Sequence, residues 1–160
     1  MRKLRLYLDS SIFGWSLNHS EPARFAEANL LLQQIADGRF IGAYSWVSEQ
    51  EIQAAPEHIA RKLRRKLEQA GLKRVSLRLK NQAENLAEAY CLKKIVPSRF
   101  RADALHIAIA TLWKADALVS YNFEHIVSLE TMVAVSEVNR SFQLNKIFLC
   151  QPQEVIISAS

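Results

Sequence analysis

Asp9, Glu51 and Asp103 hold most of the chemical potential of this chain. Asp9 follows the apolar run Leu4-Arg5-Leu6-Tyr7-Leu8 and precedes Ser10-Ser11. Glu51 lies in Trp46-Val47-Ser48-Glu49-Gln50-Glu51-Ile52, and Asp103 opens Asp103-Ala104-Leu105-His106-Ile107-Ala108-Ile109-Ala110. Each stands where an apolar strand stops or a helix starts. If the three converge, their repulsion has to be neutralised. Two carboxylates about 4 Å apart repel by roughly 4 kcal/mol at an effective dielectric near 20. A hard divalent cation with oxygen ligands is the usual remedy.

Smaller polar groups accompany the acids. Ser10 follows Asp9, and His106 falls one turn after Asp103, on the same helix face. Leu118-Val119-Ser120-Tyr121-Asn122-Phe123-Glu124-His125 sets Ser120 and Asn122, two neutral oxygen donors, directly after a strand. Each residue also has a plainer reading. Asp9 suits a cap of the following segment, and Asp103 suits a first-turn acid on a helix dipole. Ser120 and Asn122 suit a turn, and His106 suits a packed core imidazole. Glu49 and Glu51 point in different directions on a helix, so only one of them reaches a common site.

The elements that must position these groups follow from hydrophobic periodicity. Strands are expected near residues 4–9, 39–44, 72–77, 115–120 and 146–150. Helices are expected over 22–37, with Pro22 in the first turn and Gly38 past the end, and over 47–54, 56–70 (stopped by Gly71), 80–94, 101–114 and 129–140. This βα alternation implies a parallel sheet covered on both faces, with sites beyond the carboxyl ends of the strands. Asp9 lies at such an end and Asn122 just past another.

The 160 residues suit one domain spanning the chain, with 49% hydrophobic and 23% charged residues as in ordinary folded proteins. No apolar run approaches the ~18 residues of a membrane span, and Met1-Arg2-Lys3-Leu4 leads straight into a strand with no signal-like segment, so a cytoplasmic location is expected. Cys91 and Cys150 lack zinc spacing, and Cys91 reads as a buried small hydrophobe. The net charge is +5, concentrated in Arg61-Lys62-Leu63-Arg64-Arg65-Lys66 and continued by Lys73, Arg74, Arg78, Lys80, Lys93, Lys94, Arg99 and Arg101. A basic surface beside acids suits a polyanion; a solvated helix face, or the partner of an acidic protein, suits the same charges. Phe13, Trp15 and Phe25 look exposed, and a homodimer through an apolar surface is expected from them.

Taken in order, Leu8-Asp9-Ser10-Ser11, Ser45 with Glu51 six residues on, Ala102-Asp103-Ala104-Leu105-His106-Ile107-Ala108-Ile109-Ala110 and Leu118-Val119-Ser120-Tyr121-Asn122-Phe123-Glu124-His125-Ile126 resemble a PIN domain. They are most like the VapC-type toxins of toxin–antitoxin pairs. The resemblance runs from about Leu4 to Val127, and its most specific stretches are 103–110 and 118–126.

The resemblance implies a three-layer α/β/α PIN-like fold around a central parallel sheet. It also implies a Mg²⁺- or Mn²⁺-dependent endoribonuclease, with RNA as substrate and an antitoxin protein as partner. By motif position Asp9, Glu51 and Asp103 match the family's first three acids and metal ligands. Asn122 falls where many PIN domains carry a fourth catalytic acid, and in this subgroup Asn is the usual residue there. Ser10, Ser120 and His106 would support the ligands, while Arg99 and Arg101 would hold the scissile strand. A catalytically weak PIN-like module binding RNA or a protein is the alternative, and a DNA or structure-specific nuclease would share the same site.

Overall fold

The computed structural model describes residues 2–157. Strand β1 (Arg5–Leu8) leads through helices α1 (Ser10–Trp15) and α2 (Pro22–Ala36) to β2 (Ile41–Tyr44). Helices α3 (Trp46–Gln53) and α4 (Glu57–Ala70) then precede β3 (Lys73–Arg74), and α5 (Lys80–Leu92) and α6 (Arg101–Leu112) precede β4 (Ala117–Val119). Helix α7 (Leu129–Ser141) and β5 (Phe148–Cys150) follow. All strand pairs are parallel, in the order β3-β2-β1-β4-β5.

Alternation along β1 assigns the two faces. Leu6 and Leu8 pack with Leu31 and Ile35 of α2, Leu63 and Leu67 of α4, and Ile12 and Phe13 of α1. Tyr7 points the other way, into a core with Leu86 and Tyr90 of α5, Ile107 and Ile109 of α6, and Val135 of α7. This is the α/β/α sandwich expected of a parallel sheet buried on both faces. Helix α3 sits at the boundary, giving Trp46 and Val47 to one core and Ile52 to the other. Gly38 and Gly71 take left-handed φ values of 83° and 67° just beyond α2 and α4, where a Cβ would be strained. Among the described residues no helix is long and apolar enough to cross a membrane.

Three expectations change. Helix α1 was not anticipated, since its six residues span less than two turns and show no usable period. The third strand shrinks to Lys73–Arg74, because Ser76 caps a short 3-10 turn at Leu77–Leu79. Phe13 is buried in the core at 1% exposure, with Trp15 and Phe25 only partly accessible. The apolar surface expected from these three residues is therefore not there.

The strand order places a switch point between β1, whose chain continues towards β2, and β4, whose chain continues towards β5. Parallel sheets open a crevice at such a point, beyond the carboxyl ends of the strands. Asp9 leaves β1 and Ser120 leaves β4 side by side there.

Candidate active site

Asp9 caps α1, its Oδ1 accepting the Ser11 amide at 3.1 Å and the Ser11 hydroxyl at 2.6 Å. Its Oδ2 accepts the hydroxyl of Ser120 from the neighbouring strand end at 2.6 Å. The two serines are tied down in turn: Ser11 Oγ accepts the Tyr121 amide at 2.9 Å and Ser120 Oγ accepts the Asn122 amide at 2.8 Å. Cap and ligand readings of Asp9 are thus compatible. The carboxylate is only 4% exposed. Burial raises its pKa, and the opposing charge of His106 and the bonds from Ser11 and Ser120 do not cancel that rise. Its negative charge therefore lacks sufficient compensation from the protein, which a cation would supply.

Glu51 projects from α3, where Ser45 caps the helix by accepting the Val47 amide. Its Oε1 lies 2.9 Å from Nε2 of His106. Nδ1 of His106 lies 2.7 Å from the Tyr7 hydroxyl, which lies 2.6 Å from Ser45 Oγ. Burial holds the Tyr7 phenol protonated far above its usual range, so it is a dependable donor. One assignment satisfies every group in series: the Val47 amide donates to Ser45, Ser45 to Tyr7, Tyr7 to His106 Nδ1, and His106 Nε2–H to Glu51. Burial would lift Glu51, but the bond and charge of His106 outweigh it and the carboxyl ends below its ordinary value. Glu49, two residues earlier, turns to Arg74 at 2.7 Å instead.

Asp103, in the first turn of α6, accepts Nδ1 of His125 at 2.9 Å through Oδ2. The His125 ring stacks on Phe100, 4.1 Å between centroids. Asn122 uses its Oδ1 to accept the His125 amide at 2.9 Å. It therefore stands between the partner of Asp9 (Ser120) and the partner of Asp103 (His125).

His106 touches Glu51 and feels the charges of Asp9 and Asp103. Its buried imidazole would be driven towards the neutral form. The hydrogen bond to Glu51 and the charges of Asp9, Glu51 and Asp103 reverse this and raise its pKa. Among the described residues no group of three or more His, Cys, Asp or Glu side chains is placed so that it could hold a metal ion. Glu51 is drawn to His106 and Asp103 to His125, yet Oε2 of Glu51 and Oδ1 of Asp103 accept no hydrogen bond from the described residues. Ser10 adds a buried hydroxyl without a hydrogen-bond partner, close enough to Glu51 to help lower its pKa. Carboxylate, amide and hydroxyl oxygens with open lone pairs around an uncompensated buried carboxylate suit a hard divalent cation.

A solved structure shares this fold. A chain of the VapBC2 complex from Rickettsia felis, bound to a DNA fragment from their promoter, superposes with a TM-score of 0.58 at 16% identity. The match covers 92% of this chain and 98% of that one. No protein-family model matches the sequence, and no curated protein does. At that identity the likeness establishes the fold, a PIN-like α/β/α sandwich, and its extent leaves no large part of either chain outside it.

The two arginines differ. Arg101 is committed to α5, where it pairs with Glu88 and donates to the Glu84 carbonyl at 3.1 Å. Arg99 is exposed and lies over the Phe100 ring, 5.1 Å from its centroid. Tyr7, Ser11 and His125 hold the acids in place and were not singled out from the sequence. The signals were faint: a tyrosine inside an apolar strand, a second serine after Asp9, and a histidine three residues beyond Asn122.

Proposed function

We propose that the protein is a metal-dependent endoribonuclease, the toxin of a type II toxin–antitoxin pair. What supports this reading is the hydrogen-bonded chain from Asp9 through Ser120, Asn122 and His125 to Asp103, with Glu51 held on buried His106. Asp9 and Asp103 would hold Mg²⁺ or Mn²⁺ directly, with Asn122 and Ser120 fixing the groups around it. When bound, such an ion lowers the pKa of a coordinated water and offsets charge building on the phosphate. Glu51, its Oε1 anchored on His106, would use Oε2 to orient the attacking water. The carboxylates themselves repel RNA, so the basic residues, exposed Arg99 among them, would supply the attraction.

An antitoxin partner is proposed because the structurally similar protein is named as part of the VapBC2 complex. A homodimer contact would lie on Leu129, Val133 and Phe148, exposed at 72%, 51% and 55% on α7 and β5, since Phe13 is core. A monomer by light scattering at high micromolar concentration would remove that part of the reading.

A second reading, a PIN-like module that binds RNA or protein without efficient catalysis, draws on Asn122. Its side-chain oxygen already serves a backbone amide, and it adds no fourth charge. RNA incubated with Mg²⁺ or Mn²⁺ separates the two. Cleavage that chelation stops, and that Asp9→Ala abolishes with the fold intact, supports the nuclease. RNA retention without cleavage supports the module, and cleavage confined to DNA would change the substrate.

A further inference from the structure

Next to the acids lies a cluster that the proposed chemistry does not use. Trp15 ends α1, the helix Asp9 caps, and Tyr121 and Phe123 flank Asn122. Trp15 meets Tyr121, and Tyr121 meets Phe123, each edge-on with 6.4 Å between ring centroids. From α2 the Arg24 guanidinium stands 5.1, 5.5 and 5.6 Å from the Trp15, Tyr121 and Phe123 rings, all within cation–π range. The path to the acids is two hydrogen bonds long: the Tyr121 amide donates to Ser11 Oγ, which donates to Asp9.

The inner part of the cluster is structural and the outer part is open. Tyr121 is buried, its phenol pushed up to about 12 chiefly by burial, and it acts as a neutral spacer. Phe123 is 43% exposed and Trp15 partly so. Arg24 pairs with Glu21 at 3.1 Å, an exposed pair that water screens. A lone exposed phenylalanine needs no explanation. A phenylalanine set edge-on against Tyr121, with a guanidinium shared among three rings and one residue from Asn122, is a partly exposed aromatic ring beside a cation.

The geometry points to a base-stacking subsite, in which an unpaired nucleobase adjoining the scissile phosphate lies on Phe123 while Arg24 meets its ring or the next phosphate. This rests on the nuclease reading for the position of the phosphate. The exposed Phe123 ring and the neighbouring cation are what an unstacked base and its phosphate require. A base inside a duplex has both faces covered and presents only its edges. The subsite therefore selects single strands, loops or frayed ends over paired RNA.

Asp9→Asn protein, in chelator so that no strand is cut, is titrated with a fluorescein-labelled single-stranded RNA octamer and with the same strand in duplex. Asn caps as well as Asp, so the background keeps α1. Adding Phe123→Ala should weaken single-strand binding about 5-fold or more and leave duplex binding unchanged. Phe123→Leu, which keeps apolar bulk without a π face, should weaken it as well, and Phe123→Trp should restore it. Equal single-strand affinity in the Ala or Leu variant overturns the subsite, as does equal weakening of both RNAs or no binding of the octamer. Stacking behaviour as expected, with no metal-dependent cleavage by the parent, would sink the nuclease reading alone. Cleavage indifferent to Phe123→Ala would sink the subsite alone.

Discussion

Glu51 and His106 are joined at 2.9 Å, Oε1 to Nε2, although one side chain comes from α3 and the other from the buried face of α6. The bond is supported from inside the core by Tyr7 and Ser45. Tyr7→Phe should therefore act at a distance. Removing the hydroxyl leaves His106 Nδ1 and the Ser45 hydroxyl without their buried partner, at a cost of about 1–3 kcal/mol in stability. Glu51 would be less firmly oriented, and loss of such a supporting contact should lower cleavage by roughly 10–100-fold. Denaturant melts and single-turnover cleavage check both. Stability loss with unchanged cleavage would show that the relay serves only the fold.

The metal-free protein should lose stability as pH rises past neutrality. Burial pulls the His106 pKa down, but the Glu51 bond and the nearby carboxylates lift it above its ordinary 6.5. A group with a raised folded pKa contributes stability that is complete below its unfolded value and lost as pH climbs through the folded one. The window thus opens near 6.5 and extends upward. Asp9, also raised, has the same sign from its ordinary 3.8 upward, whereas Glu51, lowered, loses its contribution as pH falls below 4.5. Thermal melts in chelator should show Tm falling through the upper window, and His106→Asn should flatten it there. A flat parent curve would contradict the charge arrangement.

How much of this was legible in the sequence depends on what sets each feature. The long helices and the parallel sheet follow from periodicity, Pro22, Gly38 and Gly71, which act locally. That only one of Glu49 and Glu51 reaches the site follows from helix geometry, and the choice of Glu51 from its place in the PIN-like motif. Phe13 could not be placed, because its burial depends on α1, which exists through the Asp9 cap rather than through a repeating pattern. The partners of the acids were hidden for a different reason. Tyr7 meets His106 across 99 residues of chain and Ser45 across 38, and only the folded sheet brings them together. The pairing of Arg101 with Glu88 of α5 is likewise a contact that no local pattern announces.

Asn122→Asp tests the fourth position. Its Oδ1 caps the His125 amide, and Asp caps about as well as Asn, so the turn should survive. The added charge lies between the partners of Asp9 and Asp103, and crowded carboxylates resist ionising together. The variant should melt lower than the parent without metal, and Mg²⁺ or Mn²⁺ should raise its Tm more, by ordinary binding linkage. An identical metal response in the two proteins would remove Asn122 from the site.

The account depends most on Asp9, Glu51 and Asp103 acting as one site, and calorimetric titration of Mn²⁺ into the parent, Asp9→Asn, Glu51→Gln and Asp103→Asn tests this directly. The parent should show one firm saturable site. Asp9→Asn and Asp103→Asn should each abolish that same binding event, and Glu51→Gln should weaken it, with all three variants folded by circular dichroism. Parent-like Mn²⁺ binding in Asp9→Asn or Asp103→Asn, or no binding by the parent, would contradict it.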